Sequence, residues 1–304
     1  MNEESPEQAD VLDRAASAFV ELRPRLFGIA YRMLGSVAEA EDIVQEVWLR
    51  WQDTDRETIE NPQAFLALVT TRLSINLAQS ARMRRESYIG PWLPEPVDTS
   101  FDPTVGAERG EALELAVLLL MERLNPTERA AYVLREAFDY PYPQIAEILR
   151  LTPVNVRQIV SRARKRLTAV RHEPIDRVEH RHLLETFLDA AQTGNVGALE
   201  RLFAADVVSS SDGDGIRGSS KFPVLGSERV ARFVTAFSPW FWSGAAITWV
   251  EMNGLPGVLV SRDGSGVALL AIETSREGIH HLLWILNPIK IEAFERSRSR
   301  FVTT

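Results

Sequence analysis

The chain has 304 residues, of which 45% are hydrophobic and 25% charged; this is globular composition, which excludes a disordered or fibrous chain, and the length suggests about two domains. There is no cysteine, so a disulfide framework and a thiolate metal site are excluded. The acidic opening MNEESPEQAD is unlike a secretory leader, and no apolar run approaches about 18 residues, so a cytoplasmic chain without a membrane span is expected.

The net charge of −8 at first argues against nucleic acid, but its distribution is uneven. Residues 1–60 carry 14 acids and 6 bases, whereas Ile148 to His172 holds seven Arg/Lys and no acid. A local basic stripe decides phosphate binding more than the whole-chain charge does.

In chain order, Phe19, Leu22, Leu26, Phe27, Ala30 and Leu34 recur at helical spacing until Gly35-Ser36 breaks the run. A second helix has Ala40, Ile43, Val44, Val47 and Trp51 on one face and Glu39, Asp42, Gln45, Glu46 and Arg50 on the other. Asn61-Pro62 starts a third, AFLALVTTRLSINLAQSARMRR, apolar on most sides. Between Tyr88 and Pro103, Gly90, Pro91, Pro94, Pro96 and Pro103 interrupt any helix. This linker holds Trp92 and Leu93, which a solvated spacer does not need, so it is expected to dock on something. Helices resume from about Val105 to Arg171.

Residues 142–167, YPQIAEILRLTPVNVRQIVSRARKRL, carry the sharpest signal. Ile145, Ala146 and Leu149 give a short helix; Arg150-Leu151-Thr152 is a tight joint. Thr152 suits an N-cap and Pro153 the first helical position. The following helix buries Val156, Ile159, Val160, Ala163 and Leu167 within roughly 100° of arc. Gln158, Ser161 and Lys165 point away, flanked by Arg157 and Arg162. This is a helix-turn-helix pattern, whose second helix enters the major groove. Arg157, Gln158, Ser161 and Arg162 are the candidate base readers, Arg for guanine and Gln for adenine; Arg164, Lys165, Arg166 and Arg171 suit phosphate. The alternative is a solvated amphipathic helix in a bundle.

Beyond Arg177, helical text from His180 to Phe203 gives way to SSSDGDGIRGSS, then to a helix near Glu228–Phe237 and to β-type runs AITWVEM, GVLVSR, GVALLAIETS and GIHHLLWIL. Asp263-Gly264 and Glu277-Gly278 suit hairpin turns. An α+β domain with an antiparallel sheet is expected.

The order of parts carries a resemblance. AEAEDIVQEVWLRW at Ala38–Trp51, within Phe19–Arg85, resembles the first conserved domain of an extracytoplasmic-function sigma factor, and Leu124–Leu167 resembles its second. WLPEP (Trp92, Leu93, Pro94, Glu95, Pro96) and the tail after Arg177 resemble the subgroup with a SnoaL-like (nuclear transport factor 2-like) C-terminal extension. In that subgroup a DGGGK-type and an NPDKL-type element recur. Here they are matched imperfectly by Asp212, Gly213, Asp214 and Gly215 with Lys221 further on, and by Asn287, Pro288, Ile289, Lys290 and Ile291.

The resemblance implies a multidomain protein, with two all-α domains and a cone-shaped α+β SnoaL-like domain. Its segments are a first domain over 12–87, a linker over 88–109, a helix-turn-helix domain over 110–173 and the extension over 178–304. It implies a transcription initiation factor that binds core RNA polymerase and promoter DNA. Asp42, Gln45 and Glu46 fall where the family meets the polymerase, although a merely solvated face has the same look. Arg72 and Asn76 match positions facing the −10 element, with Arg82, Arg84 and Arg85 on phosphate; the competing reading satisfies Arg72 and Asn76 inside the domain. Arg157, Gln158, Ser161, Arg162 and Lys165 would meet the −35 element. The extension would regulate in cis through Trp92–Pro96, Asp212–Gly215 and Asn287, Pro288 and Lys290.

A catalytic set is not apparent, and neither enzyme, cofactor nor metal is expected. His280 and His281 point to opposite strand faces, so they cannot ligate one metal as a pair. Asp212-Gly-Asp-Gly lacks the later Glu of a Ca²⁺ loop and reads as a turn. Trp240, Phe241, Trp242, Trp249 and Trp284 suit either a core or a cavity for a small apolar molecule. A free monomer is expected. The competing function is a one-component DNA-binding regulator that senses a small molecule; such a protein binds DNA alone and does not confer initiation on core polymerase.

Overall fold

A computed structural model describes residues 6–55, 58–86, 88–100, 113–216 and 219–302. Side chains of 6–15, 82–84, 86 and 299–302 lie outside the description, and with them the expected phosphate contacts of Arg82 and Arg84; the expected linker and helix-turn-helix segments also run through undescribed residues 101–112. No helix among the described residues is long and apolar enough to cross a membrane. The chain forms two compact units: residues 1–83, 107–112 and 122–165 make the first, and 84–106, 113–121 and 166–304 the second.

The first unit holds α1 (Pro6–Leu34), α2 (Val37–Asp53), most of α3 (Pro62–Glu86), α5 (Pro126–Glu136), α6 (Tyr142–Leu149) and most of α7 (Pro153–Thr168). Gly35 ends α1 at φ +65°, and Ser36 then caps α2 by accepting from Glu39 N–H. The expected inward face of α2, namely Ala40, Ile43, Val44, Val47 and Trp51, is buried. Asn61 caps α3 through Ala64 N–H at 3.0 Å. The deep face of α3 departs from expectation. It is built of Leu66, Ala67, Thr70, Thr71, Ser74, Ala78 and Ala81, while Phe65, Leu68 and Val69 are only half-buried. The hydroxyls of Thr70, Thr71 and Ser74 donate to carbonyls one turn back, so small polar residues fit a close-packed face without leaving a donor unpaired. A reciprocal Asn125–Glu128 capping box starts α5, an arrangement whose cap stabilises by about 1 kcal/mol. Buried Arg129 donates to Met33 O at 2.8 Å and pairs with Glu122 at 2.6 Å. Arg25 donates to Phe138 O and lies over the Phe138 and Tyr140 rings.

The second unit is a six-stranded sheet between two layers. Its elements are α4 (Leu115–Met121), α8 (Arg177–Gln192), α9 (Val196–Leu202), β1 (Phe203–Asp212), β2 (Val224–Leu225), α10 (Ser227–Phe241), β3 (Ala246–Met252), β4 (Leu255–Arg262), β5 (Ser265–Ser275), β6 (Gly278–Ile285) and α11 (Pro288–Val302). Strand order is β2-β1-β6-β5-β4-β3. Side-chain alternation sorts the two cores. Leu282 and Trp284 of β6 join Leu184, Phe187, Leu199, Val230 and Val234 of α8–α10. Leu283 and Ile285 join Leu93, Leu115, Met252, Ile291 and Phe294 on the other side. Each such Leu, Ile or Phe contributes roughly 1.5–3 kcal/mol by burial. The second layer is therefore made of linker, α4 and α11.

Four expectations are corrected. The sheet is mixed, because β1 runs parallel to β6. The helix expected from His180 to Phe203 is two helices, broken where Gly194 takes φ +65°. The SSSD text is a buried strand next to β6: Ser209, Ser210 and Ser211 are at most 5% exposed. Asp263-Gly264 forms the expected turn, and Asn253-Gly254 forms another, with φ +53° and +84°; the β5–β6 turn is shifted by one residue to Arg276-Glu277, and Gly278 is the first residue of β6, opposite Ser275.

Candidate functional site

The helix-turn-helix geometry follows from local signals. Arg150 closes α6 in the left-handed conformation, at φ 55° and ψ 46°. Thr152 then accepts from Asn155 N–H at 3.2 Å, capping α7. Val156, Val160, Ala163 and Leu167 are buried, whereas Arg157, Gln158, Ser161, Arg162, Arg164, Lys165 and Arg166 are exposed. Arg157 rests over the Tyr142 ring at 5.3 Å. Arg164 is held by Glu136 at 2.7 Å; that hydrogen bond and charge push its pKa up. One face of α7 is thus apolar and anchored and the other cationic and open.

On α2, Asp42 and Gln45 are exposed, and half-buried Glu46 accepts from Arg50 at 2.8 Å. On α3, Asn76 is exposed, not satisfied inside the domain. Arg72 donates to Ile148 O at 3.0 Å and to Glu147 O at 3.3 Å, carbonyls at the end of α6. Arg85 stacks on Trp92 at 3.5 Å.

The linker and the C-terminal elements expected to regulate meet in one buried cluster. Asp212, fully buried at the end of β1, accepts from Leu93 N–H at 2.8 Å and pairs with Lys290 at 2.7 Å. Its other oxygen accepts from the Tyr88 hydroxyl. Lys290 Nζ also donates to Leu93 O and lies 4.6 Å from the Trp92 ring centre. Asn287 donates to the Tyr88 oxygen at 3.0 Å, while its own oxygen caps α11 through Ile289 N–H. Burial, and then the hydrogen bond to Asp212, push the Tyr88 phenol far above its usual pKa, so it stays a donor. Burial pulls Lys290 below the usual lysine value against the opposing pull of Asp212.

Asp212 is therefore a buried hub and not merely part of a turn. Gly213 is needed for space, since a Cβ there would stand 2.6 Å from Ser219 Cβ. Pro94 and Pro96 are buried and Glu95 is half-buried; Asp214, Gly215, Pro288 and Lys221 are exposed, and Lys290 is the cation that meets Asp212. Sequence reasoning missed Tyr88 and Asn253. Asn253 Oδ1 accepts from Val97 N–H and its Nδ2 donates to Leu113 O, both at 2.9 Å. Thr99 N–H reaches Glu251 O at 3.1 Å, and Asp98 bridges Met252. The linker thereby pairs, through one antiparallel bridge and its flanking hydrogen bonds, with the end of β3 at the β3–β4 turn. The Asn-Gly pair was the available signal for that turn.

The aromatic cluster lines a cavity bounded by Ser211, Phe233, Val234, Phe237, Trp240, Phe241, Trp242, Trp284 and Leu286; Trp249 lies elsewhere, beneath Arg181. It encloses about 50 Å³, well below the roughly 300–1,000 Å³ of small-molecule pockets.

A helical domain followed by a helix-turn-helix is the order of parts in a sigma-type transcription initiation factor. Family models agree: sigma-70 region 2 matches residues 18–84 and sigma-70, region 4 matches residues 114–167. The ECF RNA polymerase sigma factor SigJ of Mycobacterium tuberculosis is 36% identical over 292 residues, covering 90% of this chain and 92% of that protein. A probable ECF sigma factor SigI of the same species is 29% identical over 92% of this chain and 97% of its own length. The crystal structure of the M. tuberculosis SigJ superposes with a TM-score of 0.73 at 32% identity, covering 91% of this chain and 98% of that one. The chain belongs to the extracytoplasmic-function RNA polymerase sigma factors, and its C-terminal domain is built on a mixed six-stranded sheet. It is an alternative sigma factor directing transcription initiation, and not an enzyme.

Proposed function

We propose that the C-terminal domain regulates this sigma factor in cis by gripping the linker between its two DNA-binding regions. In this reading α7 reads the −35 element through Arg157, Gln158, Ser161 and Arg162, with Lys165 on phosphate. Asn76 and Arg72, with Arg82, Arg84 and Arg85, serve the −10 element. Asp42, Gln45 and Glu46 meet core polymerase. The chain then works in the cytoplasm, where polymerase is, and is a monomer until it binds.

The carrying observation is the buried Leu93–Asp212–Lys290 cluster. A linker held at both its backbone groups by a buried ion pair cannot vary its span freely, so the reach between the −10 and −35 readers is set by the C-terminal domain. Arg72 and Arg85 are engaged on α6 carbonyls and on Trp92, and both must let go to meet DNA. A closed form of this kind is converted to an open one by a coupling of a few kcal/mol. Promoter-directed transcription by full-length variants tests the reading. Trp92→Ala, Asp212→Asn and Lys290→Met should each change initiation from a matched promoter. Output unchanged in all three, with the fold intact, would refute it.

A further inference from the structure

Three of the chain's five histidines gather in one place, away from the linker cluster. His172 follows α7 by four residues; His280 and His281 are on β6, Asp206 is on β1 and Glu273 on β5. The His172 and His280 rings lie face to face, with centroids 3.3 Å apart. His280 Nδ1 is 2.9 Å from Asp206 Oδ1, and His172 Nε2 is 3.7 Å from Asp206 Oδ2. The three candidate donor atoms all lie within 4.8 Å of one another.

We propose that His172, Asp206 and His280 form a binding site for a divalent transition-metal cation of the Zn²⁺ type. A tetrahedral Zn²⁺ with bonds of about 2.0–2.1 Å needs donors about 3.3 Å apart; His280 Nδ1 lies 2.9 Å from one Asp206 oxygen and His172 Nε2 3.7 Å from the other, so side-chain rotation is enough to gather one donor from each residue around an ion. The far nitrogen of each ligand imidazole already has an oxygen partner: His172 Nδ1 faces Glu273 Oε1 at 3.2 Å, and His280 Nε2 faces Ser275 Oγ at 2.8 Å. Outer hydrogen bonds of this kind fix the tautomer; the two rings are stacked near-parallel, so binding turns them apart until both remaining nitrogens point at one ion.

Glu273 is itself held by His281 at 2.7 Å. Asp206 is exposed, so an ion can enter and a water can complete the shell. With no cysteine in the chain, imidazole and carboxylate are the donors on offer, and the set suits Zn²⁺, Co²⁺ or Ni²⁺. Bound metal would fasten the segment leaving α7 to strands β1 and β6.

The test uses the full chain with any affinity tag removed, titrated calorimetrically with Zn²⁺ and spectroscopically with Co²⁺. The expected result is one saturable equivalent, with visible Co²⁺ bands of low coordination number. His172→Gln and Asp206→Asn should each weaken binding at least tenfold. Glu273→Gln, which touches only a ligand, should weaken it by about 10–100-fold. His182→Ala, an exposed histidine on α8 outside the cluster, should leave it unchanged. Circular dichroism checks that each variant folds. No saturable uptake, or uptake that survives both His172→Gln and Asp206→Asn, overturns the site; a cluster that only exchanges protons gives the first of these.

Discussion

Substituting Asp212 by Asn keeps the side chain's shape and removes its charge. Lys290 is 6% exposed, and the ammonium would then sit buried without its counter-ion. Breaking a buried ion pair from one side costs about 3–5 kcal/mol. Asn also presents an N–H₂ group where Leu93 N–H, Tyr88 O–H and Lys290 all donate, so one donor must lose its acceptor. If this cost falls on linker docking, opening becomes easier by about 10²–10⁴-fold at 1.36 kcal/mol per decade. Hydrogen exchange of peptides spanning 88–96 reads it directly, because the Leu93 amide is protected only while it is bonded to Asp212. Lys290→Met leaves the carboxylate with its two other donors. It should cost about 1.5–3 kcal/mol, the value of a charged hydrogen bond, or roughly 10–100-fold in exchange. The double variant should cost less than the sum of the singles, since the partners are in contact. Unchanged exchange in a folded Asp212→Asn protein would show that the cluster does not hold the linker.

Three further outcomes are expected. Gln158→Ala and Arg162→Ala, both on the exposed face of α7, should each lose about 1–3 kcal/mol of discrimination at one −35 base pair in competition binding. Lys165→Ala should instead weaken all duplexes alike and lower the salt slope by about one. Gly278 has φ +117°, and a Cβ there would stand 2.4 Å from Leu202 O, so Gly278→Ala should destabilise the C-terminal domain by about 2–4 kcal/mol in urea unfolding. Burial lowers the pKa of His180, whose Nε2 is 3.1 Å from Pro256 O. The unfolded chain therefore binds a proton there first as pH falls. Stability should be level above about pH 6.5 and decline below it, until the folded-state pKa is passed. His180→Gln should flatten that limb in pH-dependent thermal unfolding.

The helix-turn-helix was legible because its signals are local. Thr152 and Pro153 mark a start, and Val156, Val160, Ala163 and Leu167 mark a buried stripe in the sequence itself. Docking of the linker was legible for a similar reason: Trp92 and Leu93 are too apolar for a spacer. The meeting of Asp212 with Lys290 was legible only through resemblance, because two charges 78 positions apart carry no spacing rule. Strand β1 was hidden by its composition. Ser209, Ser210 and Ser211 look like loop, yet the strand lies hydrogen-bonded between β2 and β6, and position in the sheet overrides propensity. The inward small-polar face of α3 escaped notice because hydropathy does not register hydroxyls that bond back to their own helix. The histidine–carboxylate cluster draws on three strands and the segment after α7, and is visible only once the sheet is assembled.

Single-round run-off transcription with purified core RNA polymerase tests the central claim most directly, comparing the full chain with one ending near Arg177. Both chains should associate with core enzyme and start transcripts at the same promoter. Their dependence on the spacing between the −10 and −35 elements should differ, because only the full chain has Leu93 and its neighbours held against β1 and α11. Failure of the full chain to bind core enzyme and initiate specifically would contradict the initiation role. Identical yield and spacing dependence from the two chains would contradict control by the C-terminal domain.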